Sequence, residues 1–170
     1  MEEPCPICLL TKANKIPRGP ITDVSEFAPG FMLQMGFSFF NVEIIRGFTS
    51  TFVAICSATS YPFGFPSRSK RPSLGILKFV VTTLRNQDKK VAFIRVDEDG
   101  ALARPSEFMR TCHNMNIIVH TKGGYASSLN GKSKSHNKTL ANITRALLLK
   151  SSNKKELWCY AYQYSIFFSR

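Results

Sequence analysis

The sequence predicts an α/β domain, and three observations carry that expectation. Two runs rich in Phe, Val, Ile and Thr, Phe31 to Glu43 and Phe48 to Thr59, read as paired strands parted by the turn-like Arg46-Gly47. Leu74, Leu77, Lys78, Val81 and Leu84 then recur at spacings of three and four, the mark of an amphipathic helix. After it, apolar runs and helical patterns alternate, giving strand, helix, strand, helix, strand.

Each element follows from its residues. Tyr61 to Phe65 is a third strand, and Pro62 and Gly64 assign it to a sheet edge, because proline cannot donate to a ladder. Pro66, Ser67 and Pro72 bracket the basic turn Arg68-Ser69-Lys70-Arg71. Ser73 is the expected cap of a helix over Ser73 to Gln87. Val91 to Val96 reads as a buried strand that opens at Asp97-Glu98-Asp99-Gly100. Pro105-Ser106 starts a short helix through about Met115, and Asn116 to His120 is the next strand. Residues 121–133, rich in Gly, Ser, Asn and Lys, form a loop that their composition marks as mobile. From Lys132 a helix resumes, with Leu140, Ile143 and Leu147 on its packing face and Lys134, Lys138 and Arg145 on the opposite one. A last helix, Lys154 to Phe168, is apolar nearly all round and meets no stop signal, so the domain is expected to be cut at its C-terminal end.

Composition narrows the class of function. The 170 residues hold 44% apolar and 20% charged side chains, which argues against wholesale disorder and collagen-like repetition. Met1-Glu2-Glu3-Pro4 lacks the apolar region of a secretory signal, and Leu157 to Phe168 is too short to cross a bilayer. A nuclear or cytoplasmic protein without membrane attachment is expected. Five cysteines, an odd set, point to reduced thiols or metal ligands. The formal charge of +12 calls for polyanionic partners, nucleic acid first and anionic membrane second. Residues 108–155 contain nine Lys or Arg and no Asp or Glu, so this charge lacks the i,i+4 partners of an ordinary helix surface.

Several strings, taken in order, resemble the integrase of copia-type LTR retrotransposons, in the retroviral integrase family. Cys5-x-x-Cys8 with Lys12 and Pro17 resembles the end of a His-His-Cys-Cys zinc module, and Arg46 to Ser57 the second core strand. Phe93-Ile94-Arg95-Val96-Asp97-Glu98-Asp99-Gly100 through Glu107-Phe108 is similar to the family's Leu-Arg-x-Asp-Asn-Gly-Gly-Glu-Phe string. Asn130 to Leu140 resembles its Asn-Gly-x-x-Glu-x-x-Asn-x-Thr-Leu helix start, and Leu157-Trp158 with Ala161 and Arg170 the helix that follows. The resemblance implies a ribonuclease-H-like three-layer fold with a central mixed five-stranded sheet flanked by helices. It divides the chain into a zinc-module remnant and linker over 1–20 and a core over 21–170.

The family's reaction, metal-dependent DNA strand transfer, uses three carboxylates holding two divalent metals, Mg2+ or Mn2+, about 4 Å apart. Matched position by position, the resemblance places those acids at Gly36, Asp97 and Lys134, of which Asp97 alone is an acid. Three carboxylates offer about −3 to the metals, whereas Asp97 beside Lys134 offers about zero. Met35 and Phe37 are apolar, and Glu43 lies seven residues from Gly36, roughly 23 Å along an extended strand. Neither Mg2+ nor Mn2+ is expected to bind, and strand transfer and 3′-end processing are expected to be lost. Without the resemblance, Asp97 at a strand end reads as a turn or cap residue.

Cys5 and Cys8 make half of a tetrahedral zinc site, and no His precedes them, so Zn2+ retention is not expected. A thioredoxin-like reading needs a strand before and a helix after the pair, and neither is present. The fourteen Phe read as strand core. DNA is the expected partner, through salt-sensitive phosphate contacts of Lys132, Lys134, Lys138 and Arg145 without base readout, since the resembled family meets the DNA backbone with this helix and loop. Self-association is expected as in that family. The reading is an inactive integrase core that keeps nucleic-acid affinity; the alternatives are a retained DNA-binding or assembly module and a small zinc-binding protein.

Overall fold

The computed structural model describes residues 27–39, 47–69, 71, 73–97, 102, 106–122, 131–151 and 155–169, with the backbone alone described at 97, 106, 122 and 131–134. The elements run β1 (Met32–Phe39), β2 (Ser50–Cys56), β3 (Pro62–Ser67), α1 (Leu74–Arg85), β4 (Phe93–Asp97), α2 (Ser106–Asn114), β5 (Ile118–Lys122), α3 (Gly131–Lys150), a 3-10 turn (Lys155–Leu157) and α4 (Trp158–Phe168). The strands form one mixed sheet in the order β3-β2-β1-β4-β5. β1 runs antiparallel to β2 and parallel to β4, β2 is antiparallel to β3, and β4 is parallel to β5. β3 lies at the edge, where Pro62 and Pro66 leave no central ladder short of a donor.

Alternation along the strands sorts side chains between two helical layers. On one face Leu33, Met35, Phe52, Ala54, Ile94 and Val96 pack with Leu77, Val80, Val81 and Leu84 of α1 and with Phe108 and Cys112 of α2. Ser73 caps α1, its Oγ accepting from the Ile76 N–H at 3.4 Å. Both helices end in the same way. The Lys89 N–H donates to the Leu84 carbonyl around Asp88 at φ 57°, and the Ile117 N–H donates to the Cys112 carbonyl around Asn116 at φ 56°. Asn116 is therefore the α2 stop and not the first residue of a strand, which moves β5 two positions later than the sequence suggests.

The opposite face carries Val53 and Ile55, packed with Leu140 of α3 and Trp158, Cys159, Tyr162 and Ile166 of α4. The buried stripe of α3 is centred one residue from the expected one. Thr144 is buried while Ile143 and Leu147 are half-buried. Thr144 tolerates burial because its Oγ1 donates to the Leu140 carbonyl at 2.8 Å and meets Ser165 Oγ at 3.3 Å. α4 buries one side alone, leaving Tyr160, Tyr164, Phe167 and Phe168 exposed. With Phe39 and Phe79 also more than half exposed, the reading of the phenylalanines as strand core holds for Phe52 and Phe63 but not for these four. Among the described residues no helix is long and apolar enough to cross a membrane.

Candidate functional site

The face of the sheet covered by α3 and α4 gathers the positions of interest. β1 and β4 are hydrogen-bonded in parallel register from Met32↔Phe93 to Gln34↔Arg95. Pairing stops there, and the same offset sets Gly36 level with Asp97, the last residue of β4. On their other sides Gly36 pairs with Val53 and Asp97 with Lys122. Val53, Gly36, Asp97 and Lys122 thus make a row across four strands, where β1 and β4 part company. Parallel strands that part at their C-terminal ends open a crevice there.

Gly36 contributes no side chain to that crevice. Among the described residues a Cβ placed on it meets no atom within 4 Å. α3 lies over the same face, with Leu140 in the cluster that holds Val53 and Ile55. Lys132 and Lys134 belong to the first turn of α3, and Lys134 precedes Leu140 by six residues, about 9 Å of helix. Tyr162 bounds the face from α4. Burial pushes its phenol up to about 12, against the opposing effect of a hydrogen bond with Ser38, two residues beyond Gly36 on β1. Burial lowers the pKa of His136, one turn into α3, and among the described residues its Nε2 is buried without a partner.

Further along α3, Lys138 and Arg145 are exposed. Arg145 Nη1 donates to Asn142 Oδ1 at 2.8 Å, and among the described residues neither cation has a carboxylate partner. Cys5, Cys8 and the acids Glu43, Glu98 and Asp99 lie outside the described residues.

One register step down the same face lies a second row that local spacing does not reveal. Gln34 of β1, Arg95 of β4 and His120 of β5 are consecutive cross-strand partners. Gln34 is buried, and its Nε2 donates to Ser57 Oγ at 3.3 Å. Only the register of β4 with both neighbours could have shown this row, since the three residues sit far apart in the chain.

The layered sheet with this strand order has solved counterparts. The fold is that of retroviral integrase catalytic cores, a ribonuclease-H-like α/β architecture. A simian T-cell lymphotropic virus intasome, in a cryoEM structure with PP2A regulatory subunit B56 gamma, contains a chain similar over 82% of the present one, at TM-score 0.64 and 14% identity. The match spans 48% of that viral chain, so the chain covers about half of its length. The catalytic core domain of BIV integrase matches over 81% of both chains, at TM-score 0.58 and 14% identity. No protein-family model matches the sequence, nor does any curated protein.

Hard cations are held by several anionic or carbonyl oxygens. By residue type this row holds one acid position, Asp97, with Gly36 on β1 and Lys122 on β5, and the first turn of α3 adds Lys132 and Lys134.

Proposed function

We propose that this chain is an integrase-core-like nucleic-acid-binding domain of copia-type ancestry that has lost the two-metal reaction of its lineage. The observation that carries this reading is Gly36 standing level with Asp97 on a neighbouring parallel strand, on the sheet face that α3 packs against, so that one of the two level positions has no carboxylate to offer. The exposed cations Lys138 and Arg145, which have no carboxylate partner among the described residues, support phosphate contact as the retained activity, and Lys132 and Lys134 extend the same helix toward its start. Such contacts read no base edges and weaken steeply with salt. The exposed Tyr160, Tyr164, Phe167 and Phe168 of α4 support self-association as a further property.

The test is a DNA cleavage and joining assay with Mg2+ or Mn2+, run beside duplex binding at rising salt. Salt-sensitive binding with no metal-dependent product is expected. Product formation abolished by Asp97→Ala would overturn the reading.

A further inference from the structure

We propose that the open half of the sheet, the face of β4 and β5 beyond the cover of α3 and α4, binds a single-stranded polynucleotide. Arg95 takes a phosphate there, and the rings of His120 and Phe93 receive a base. This surface uses none of the α3 cations and goes beyond the duplex contact proposed above.

Strand alternation fixes which residues face outward. Ile94, Val96 and Ile117 belong to the core under α1 and α2, and Val119 packs against it. Phe93, Arg95, Ile118 and His120 therefore occupy the other face. The helical cover on that side reaches β2, through Leu140 against Val53 and Ile55, and β3, through Ile166 beside Gly64. It does not reach β5, since Ile118 is 57% exposed and His120 is exposed as well.

Two features of this face point to its ligand. Arg95 is half-buried, and among the described residues it has neither a carboxylate nor a hydrogen bond. A guanidinium partly removed from water is left wanting an anion. Beside it in register, Gln34 is 7% exposed, and among the described residues its Oε1 is buried without a partner.

The second feature is a ladder of rings. Phe27 stacks on Phe31 at 5.7 Å, Phe31 lies 5.4 Å from Phe93, and Phe93 lies 5.1 Å from His120, which ends the ladder at the exposed edge. A ring platform beside a cation suits a base and its phosphate. The base must be unpaired to reach it, because a duplex keeps its base faces stacked and offers its backbone. The chain's charge of +12 favours such a polyanion over an acidic peptide, which has no base to stack.

The experiment measures binding of the full chain to oligothymidylate, to oligouridylate and to a duplex of matched length, about 20 nucleotides, which spans a typical single-strand site. Arg95→Gln and His120→Ala are each expected to weaken the better single-stranded ligand by on the order of tenfold and the duplex by less than about twofold. The preferred homopolymer identifies DNA or RNA as the source. Lys138→Gln with Arg145→Gln is expected to show the reverse pattern, so failure of the duplex reading is seen separately. As a check needing no substitution, photocrosslinking to a 5-bromouracil oligonucleotide should label a peptide containing Phe93 or His120. Equal losses on single strand and duplex, no loss on either, or crosslinks confined to other peptides overturn the proposal.

Discussion

Gly64 is where α4 meets the edge strand, and adding one methyl group there tests how the second layer is docked. A Cβ at this position runs into Ile166 Cδ1 and lies 3.5 Å from both Ile166 Cγ1 and Thr51 Cγ2. Ile166 is 4% exposed and packed in the cluster of Val53, Ile55 and Tyr162, which leaves its end carbon little room to turn away. Overpacking of this kind costs about 1–3 kcal/mol. Gly64→Ala also stiffens the unfolded chain, which returns about 0.4–1 kcal/mol. A net loss of roughly 1–2 kcal/mol is expected from these two effects. Ile166→Val removes the offending carbon at a cost of about 0.5–1.5 kcal/mol by itself. In the double variant the clash is gone, so the two losses should fall short of additive by about 1 kcal/mol. Urea unfolding followed by Trp158 fluorescence reads this directly, since Trp158 is the sole tryptophan, buried on α4. Additive losses, or a Gly64→Ala variant as stable as the parent, refute the argued packing of α4 against β3.

Two further outcomes follow from burial and charge. Burial pushes the Cys112 thiol up to about 11 from 9.0 and the Tyr162 phenol up to about 12 from 10.0. Both groups ionise first in the unfolded chain, so the stability they contribute is complete below pH 9. It declines from there to about 11 through Cys112, and from 10 to about 12 through Tyr162. Urea midpoints across this range should fall, and Tyr162→Phe should flatten the upper part. No decline, or one untouched by that change, contradicts the burial of the phenol. On the exposed side of α3, Lys138→Gln with Arg145→Gln should weaken duplex binding and reduce the slope of log affinity against log salt by up to about 2, each cation accounting for up to roughly one counterion. An unchanged slope places the duplex elsewhere.

The core was legible wherever local chemistry and burial agree. Ser73 announced α1 because a hydroxyl before an apolar period has one good use, and it does accept from Ile76. Pro62 and Gly64 announced an edge because a central strand needs the amide that proline lacks. Asn116 misled, since its apolar followers Ile117 and Ile118 resemble a strand start, while its tolerance of positive φ made it a helix terminator. α4 was opaque for a different reason. A helix that is apolar all round has no preferred side, so the covered face is set by tertiary partners, here the polar seam of Thr144 and Ser165. Of the candidate site, the strand positions of Gly36 and Asp97 could be reached from the sequence, but their common level required the β1–β4 register. The row of Gln34, Arg95 and His120 was hidden for the same reason, because a cross-strand line leaves no trace in local spacing.

Magnesium titration calorimetry, comparing the parent chain with the Gly36→Asp, Lys134→Glu double variant, bears most directly on the proposed loss of the metal pair. A Cβ added at position 36 meets no described atom within 4 Å, so the substitution starts without a clash at its first side-chain carbon. If positions 36, 97 and 134 converge on one crevice, the parent gives no saturable Mg2+ heat and the double variant gains it. Saturable binding of two ions by the parent, or a double variant that folds yet takes up none, contradicts the account.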